Sequence, residues 1–218
     1  MNIRRLGRAA LPVSAALLVL LGTLAPASQA APLFEATESS AVIATPGGDT
    51  EIALEGETIS IVCVSDVQTG SYSSTSFPTL MLHPSLGTCE LVGFSAATVN
   101  TESCDFAYSP TKRIGADLYN ASFGIVCPSG DAIRITAATC ALSINGGGSN
   151  EGLTNVQLAN SGPGVEITPL VGGISYKVTN DGFFCPFDGK GDRTDGSYTA
   201  VSGLGAIPMS GGLGVAGT

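Results

Sequence analysis

Residues 174–179 read Ile-Ser-Tyr-Lys-Val-Thr, with an apolar side chain at every second position. Residues 58–63, Thr-Ile-Ser-Ile-Val-Cys, alternate in the same way. A period of two places alternate side chains on opposite faces of a strand, so both stretches predict half-buried β-strands. These two stretches indicate a β fold.

Outward from these two stretches, the chain contains more short strand candidates separated by Gly, Pro, Ser and Asn turns. The candidates are residues 79–82, 97–108, 118–127, 133–144, 153–158, 165–170 and 198–201. The chain contains no capped amphipathic stretch of about a dozen residues, which is the pattern that predicts a helix. Short strands at this spacing predict an all-β fold, an antiparallel sandwich or barrel, with few or no helices after the N-terminal segment.

The N-terminus has the pattern of a secretory signal peptide. Residues 1–8 contain three arginines and no acid, and residues 9–24 are almost entirely apolar. Small residues at Ser28 and Ala30 suit a signal peptidase, so residues 1–30 are predicted to be removed. An uncleaved membrane anchor would need an apolar run of about 20 residues without this small-residue exit. We therefore expect a secreted, extracellular or cell-wall-associated protein with no membrane span in the mature chain.

Composition and charge narrow the classes of function. Of the 218 residues, 44% are hydrophobic and 12% are charged, which is too apolar for a disordered chain. The chain has 9 basic and 18 acidic residues, and loss of Arg4, Arg5 and Arg8 with the signal peptide leaves 6 against 18, a net charge of −12. Scattered basic residues cannot neutralise a row of phosphates, which argues against binding nucleic acid or anionic membranes.

The mature chain is predicted to form one domain. We expect residues 31–49 to be a loosely ordered N-terminal segment, residues 50–203 to form a single β-rich domain, and residues 204–218 to be a Gly-rich tail.

Export decides how the six cysteines are interpreted. An even set in an oxidising compartment predicts three disulfides, so the expected fold is disulfide-stabilised. No pair has the Cys-x-x-Cys spacing of redox or zinc sites. The set comprises Cys63, Cys89, Cys104, Cys127, Cys140 and Cys185.

Six cysteines allow 15 connectivities, and the sequence does not choose among them. A turn at residues 95–97 would bring Cys89 opposite Cys104, which makes that pair the preferred one. A shift in the alternation near residues 137–138 indicates a bulge or bend that could return Cys140 toward Cys127. Cys63 and Cys185 then pair by elimination.

Catalytic motifs are weak in this sequence. There is no Gly-x-Ser-x-Gly elbow, and His83 is interpreted as a turn-capping or surface histidine because no partner motif accompanies it. Acid pairs such as Asp181 with Asp188, or Glu55 with Glu57, are the type that a glycosidase uses. Solvated acidic faces are the preferred interpretation of these pairs, so an enzyme is disfavoured without being excluded.

Asp188, Asp192 and Asp195 lie among glycines and could offer oxygen ligands to calcium. Their spacing of four and three residues fails the EF-hand pattern. Lys190 and Arg193 lie inside the same loop, so a solvent-exposed turn is preferred to a calcium site. No other cofactor is predicted.

Three cysteine-containing segments resemble a group of exported actinobacterial six-cysteine proteins of unknown function. They are residues 125–130 (Ile-Val-Cys-Pro-Ser-Gly), 138–144 (Ala-Thr-Cys-Ala-Leu-Ser-Ile) and 181–186 (Asp-Gly-Phe-Phe-Cys-Pro), followed by the Asp-Gly-Ser-Tyr turn at 195–198. The similarity covers residues 78–203. It implies a secreted, cysteine-bridged domain and no particular site.

Two functions are carried forward. The first is a secreted non-enzymatic binding or structural module that holds an extracellular protein, a polymer or its own copies through sheet faces, sheet edges and Gly-rich loops. The absence of tryptophan leaves few rings for sugar stacking, which favours protein or self contacts along a sheet edge. The alternative is a secreted carboxylate-dependent hydrolase, which requires two acids about 5 to 10 Å apart in a cleft.

Overall fold

The computed structural model describes residues 30–54, 56, 58–183, 185–187, 189–200 and 203–217. Every strand pairing in these residues is antiparallel, and the one short helical turn is a 3₁₀ turn at Gly148–Asn150. The all-β antiparallel prediction is confirmed. The strands are β1 Leu33–Ala36, β2 Ser40–Pro46, β3 Thr50–Leu54, β4 Ile59–Cys63, β5 Asp66–Tyr72, β6 Ser76–Phe77, β7 Leu80–Leu86, β8 Cys89–Leu91, β9 Ser95–Asn100, β10 Asp105–Arg113, β11 Leu118–Val126, β12 Ala132–Ala137, β13 Cys140–Asn145, β14 Leu153–Ser161, β15 Gly164–Asp181, β16 Gly191–Ala200, β17 Leu204–Pro208 and β18 Leu213–Ala216.

Strand pairing closes into two rings that share β15. The first ring runs β15–β14–β11–β10–β7–β5–β2–β17 and returns to β15. The second ring runs β15–β13–β12–β9–β8–β4–β3–β16 and also returns to β15. Closure pairs the edge strands that an open sheet would leave exposed.

Strand β15 has 18 residues and passes from one ring into the other. Residues 172–173 were expected to separate two strands, because paired glycines commonly mark a turn. Instead the strand continues through them, with a register shift against β16 and a φ of 80° at Gly173. Glycine adopts this conformation without a Cβ clash, so the pair bends a continuous strand at the crossing between the rings.

The two rings share one hydrophobic core. Phe106 and Phe123 of the first ring pack against Tyr198 of the second, with ring centroids 5.2 and 5.7 Å apart. A third sheet, ordered β18-β1-β6, is joined to this core through Phe77, whose ring stacks on Tyr72 of β5 and on Phe34 of its own sheet.

Both chain ends are more ordered than the sequence suggested. Residues 31–49 were expected to be loose, but β2 pairs with β5 and β17, and Val42 and Ala44 are buried. Residues 204–218 were expected to be a tail, but β17 completes the first ring and β18 pairs with β1. The two ends stabilise each other through long-range pairing, which local composition does not reveal. The predicted signal peptide, residues 1–30, lies almost entirely outside the described residues.

Two strands predicted from continuous patterns are hairpins or broken segments. The stretch 97–108 is interrupted by a turn in which the Cys104 amide donates to the Thr101 carbonyl and Glu102 has a φ of 48°. The stretch 133–144 folds back into β12 and β13, with Ala137 opposite Cys140 and Ala138 at a φ of 49°. The bend inferred near residues 137–138 exists, and it is a full chain reversal.

All six cysteines form disulfides, but the pairing inferred from the sequence is wrong. The bonds are Cys63–Cys89, Cys104–Cys127 and Cys140–Cys185.

The preferred Cys89–Cys104 pair failed because the hairpin turns three residues earlier than expected. The chain reverses around Gly93, at a φ of 79°, which places Cys89 opposite Ala97 and, on its other side, opposite Cys63. Cys104 instead joins Cys127 at the open end of the β10–β11 hairpin, one position beyond the Asp105–Val126 pair.

Cys140 lies opposite Asp181 at the end of β15, which brings it to Cys185 rather than to Cys127. Each disulfide therefore joins segments that strand pairing has already aligned.

Candidate functional site

The residues proposed for calcium are only partly described. Asp188 lies outside the described residues, whereas Asp192 and Asp195 belong to β16 rather than to an extended turn. The Tyr176 hydroxyl donates a hydrogen bond of 3.1 Å to Asp195. Within the described ranges, no group of three or more His, Cys, Asp or Glu side chains could hold a metal ion. The calcium site remains a prediction.

His83 has a partner that local sequence did not indicate. Its Nδ1 lies 3.2 Å from Oδ1 of Asp105, and both side chains are well exposed. The two residues are on neighbouring strands, β7 and β10, so they meet through register rather than through a motif. The histidine is a surface residue, as expected, but it lies within a strand and not at a turn.

The acid pairs considered for glycoside hydrolysis lie largely outside the described residues. Glu55, Glu57 and Asp188 lie outside the described residues, and Asp181 is the last residue of β15. Both pairs remain predictions.

A buried polar cluster, which the sequence analysis missed, lies between the rings. Gln68 donates to Asp66 Oδ2 at 3.1 Å and to the Tyr198 hydroxyl at 2.8 Å, and Tyr198 in turn donates to Asp66 Oδ2 at 2.9 Å. The Tyr108 hydroxyl donates to Gln68 Oε1, and Thr50 donates to Asp66. All five residues are essentially inaccessible to solvent.

Burial dominates the acid–base properties of this cluster. Desolvation raises the pKa of Asp66 above its ordinary value, although hydrogen bonds from Gln68, Tyr198 and Thr50 oppose the shift. The pKa values of Tyr108 and Tyr198 are also raised, chiefly by burial. The other oxygen of Asp66, Oδ1, has no hydrogen-bond partner among the described residues. The cluster is closed to solvent, so its hydrogen bonds bear on the stability of the fold.

A polar cleft lies on the outer face of the second ring. It encloses about 300 Å³. Its floor is a cross-strand row in which Ser143 on β13 faces Lys177 on β15, which faces Asp192 on β16. Lys177 is one of the outward positions of the alternating stretch 174–179. The full lining is Ser143, Asn145, Gly147, Ser149, Asn150, Ser175, Tyr176, Lys177, Asp192, Arg193 and Thr194.

One wall of the cleft is the 3₁₀ turn, held in place by the buried side chain of Asn150. Its amide nitrogen donates to the carbonyls of Asn145 and Ser175, each at 2.8 Å. Its amide oxygen accepts a hydrogen bond of 2.6 Å from the Ser175 backbone amide. With two hydrogen bonds donated and one accepted by its buried amide, Asn150 fixes the position of this wall.

The cleft presents hydrogen-bonding groups that the protein itself does not use. In the part of the chain that the structure describes, no hydrogen bond or ion pair engages the side chains of seven lining residues. They include an ammonium, a carboxylate and a primary amide, so donors and acceptors are both available. These seven are Ser143, Asn145, Ser149, Ser175, Lys177, Asp192 and Thr194.

Arg193 is engaged with the chain beside it. Its guanidinium donates to the carbonyls of Asp192 and Gly189 at 3.3 and 3.4 Å. The arginine therefore organises the segment that enters β16, while Lys177 is the cation that faces the cleft without a partner among the described residues.

Comparison with known proteins adds no family assignment. A scan against protein-family models, a search of curated proteins and a search of solved structures each returned no match. The described residues include no helix of the length and apolarity needed to cross a membrane.

Proposed function

We propose that this protein is a secreted, non-enzymatic binding module that holds a polyhydroxylated extracellular ligand, such as a wall polysaccharide, in the polar cleft. The observation that carries the proposal is the set of seven unused hydrogen-bonding side chains over a rigid floor and wall. The three disulfides and the signal-peptide pattern support an extracellular location.

The chemistry of the lining favours a sugar over an apolar ligand. Each sugar hydroxyl both donates and accepts, so it matches a surface that mixes an ammonium, a carboxylate, an amide and hydroxyls. Lys177 and Asp192 are cross-strand neighbours and can engage adjacent hydroxyls of one ring. Among the described lining residues, Tyr176 is the only aromatic one, and it is buried and hydrogen-bonded to Asp195. Recognition therefore depends on hydrogen bonds and not on stacking.

Binding is favoured over hydrolysis by the number of acids. Glycoside hydrolysis by carboxylates needs a pair of acids on either side of the scissile bond. Among the described lining residues, Asp192 is the single carboxylic acid. The described cleft thus provides the groups for recognition but not the acid pair for cleavage.

The proposal is tested by co-sedimentation of the purified mature protein with insoluble cellulose, chitin and peptidoglycan. Lys177→Met removes the ammonium and keeps much of the aliphatic stem, and Lys112→Met is the matched control on the first ring. Hydrogen bonds from a charged group contribute about 1.5 to 3 kcal/mol, so the Lys177 variant should bind at least about tenfold more weakly. Lys112→Met should bind like the wild type.

Three outcomes would overturn the proposal. The first is that none of the polymers sediments the protein. The second is that the two lysine variants bind equally, and the third is that incubation releases new reducing ends from the bound polymer. The last result would instead support a secreted hydrolase.

A further inference from the structure

Four neighbouring strands of the first ring are almost free of charge. Strands β7, β5, β2 and β17 lie side by side in that order. Together they contain no lysine, arginine or glutamate, and their single aspartate, Asp66, is buried inside the ring. Their outer surface therefore carries no carboxylate.

Large apolar side chains are adjacent on this surface. Ile43 and Ile207 are direct cross-strand partners, and Ile43 also faces Thr69 on its other side. Val67 is the diagonal neighbour of Ile43, while the Met209 amide donates to the carbonyl of Ala41 next to it. We call the surface of Ile43, Val67, Ile207 and Met209 the uncharged face; these residues are 37%, 38%, 54% and 71% exposed.

The distribution of charge indicates what can cover this face. The chain has a formal charge of −9, and removal of the three signal-peptide arginines makes it −12. Acidic residues of the second ring, such as Glu51, Glu90 and Asp192, face solvent or lie near it. Two copies of the protein therefore repel each other over most orientations. Contact centred on Ile43 brings apolar side chains together and keeps the exposed Glu166 of β15, the cross-strand partner of Gly205, at the rim of the face.

Closure of the sheets makes the contact face-to-face. Both large rings close, so pairing of a free strand edge is not available to them. At β18 of the small sheet, the Asn160 side chain bonds to the amide and the carbonyl of Val215. Because the strands of both large rings are paired on both sides, their outer surfaces are what they offer to a second copy.

We propose that the uncharged face is a self-association surface on which a second copy of this chain packs about a two-fold axis. A two-fold contact uses the same patch on both copies, and an apolar patch without charge is complementary to itself. A contiguous exposed apolar patch is also the usual mark of an interaction surface. The polar cleft is on the other ring and stays open in the dimer.

The experiment is sedimentation equilibrium of the mature, disulfide-bonded protein over a range of concentrations. Ile43→Glu places a carboxylate at the centre of the face, and Val92→Glu adds the same charge at an exposed turn of the second ring. We expect the wild type and Val92→Glu to form dimers. The Ile43→Glu variant should raise the dimer dissociation constant at least about tenfold.

A charge-swap arm separates association from folding. Ile43→Lys alone should also be monomeric, whereas an equal mixture of the Ile43→Glu and Ile43→Lys proteins should regain the dimer, because opposite charges then meet across the two-fold axis. A wild type that is monomeric at every concentration overturns the proposal and leaves the face to a different partner. So does an Ile43→Glu variant that dimerises like the wild type. Neither result depends on whether the cleft binds a polysaccharide.

Discussion

Asp66 is a carboxylic acid inside an almost wholly apolar core. Such a group is tolerated when hydrogen bonds replace the water it has lost. Thr50, Gln68 and Tyr198 all donate to Oδ2, while Oδ1 has no partner among the described residues. An acid that is satisfied on one oxygen and buried on the other favours its neutral, protonated form.

The raised pKa of Asp66 predicts the sign of a pH effect on stability. The folded protein holds this proton more tightly than the unfolded chain, in which the carboxyl titrates near pH 3.8. This group's contribution is therefore complete below that pH and is lost as the pH rises through the folded pKa. Asp66→Asn does not titrate, so its free energy of unfolding should lack this decrease.

Urea unfolding of both proteins across pH measures the difference. Asp117→Asn, at an exposed position, should follow the wild-type profile. Parallel profiles for the wild type and Asp66→Asn would contradict the assignment.

At the scale of the element, two asparagine side chains extend backbone hydrogen-bond ladders beyond the point where strand pairing ends. Asn150 bonds to the amide and carbonyl of Ser175 beyond the point where β13 pairs with β15. Asn160 does the same for Val215 in β18. A primary amide has the donor and acceptor of a peptide group, so it can take the place of one strand residue.

Replacement of Asn150 should destabilise the protein and loosen the cleft. Asn150→Ala leaves the partly buried amide and carbonyl of Ser175 without the Asn150 side chain as a partner, which we expect to cost about 1 to 3 kcal/mol. Ser149→Ala, at the exposed neighbouring position, should have little effect. Urea denaturation gives the stabilities, and hydrogen exchange at the Ser175 amide reports the loss of its bond. Equal stability of the two variants would show that the turn is not held by Asn150.

At the scale of the whole molecule, disulfides and chain ends constrain the same rings. The three bonds span 23, 26 and 45 residues of sequence. Closure of loops of this size stabilises a fold by about 3 to 4 kcal/mol each in the chain-entropy model. Strands β2 and β17 join opposite ends of the chain, so the first ring is complete only when both ends are present.

Export and oxidation predict the mass of the mature protein. Its sequence should begin at Ala31, and alkylation should label no thiol before reduction and six cysteines after it. Peptide mapping without reduction should recover the three pairs Cys63–Cys89, Cys104–Cys127 and Cys140–Cys185. A retained Met1, a free thiol or another pairing would contradict the corresponding part of the description.

The sequence identified several residues of the candidate cleft but did not indicate that they lie together. Ser175 and Lys177 were recognised as the polar positions of an alternating strand, and Asp192 was singled out for calcium. Nothing local indicated that Lys177 faces Asp192, because their meeting depends on the register of β15 against β16. The role of Asn150 was equally hidden, since its partners are 5 and 25 residues away in the sequence.

The sequence by itself determined the all-β fold class, the alternation of side chains between the two faces of each strand and the involvement of all six cysteines in disulfides. These properties depend on composition and on neighbours one or two residues apart. Only the tertiary structure decided the disulfide partners, the ordering of both chain ends, the sharing of β15 between two rings and the position of the cleft. These depend on register, and a turn displaced by three residues, as at Gly93, changes every cross-strand partner that follows it.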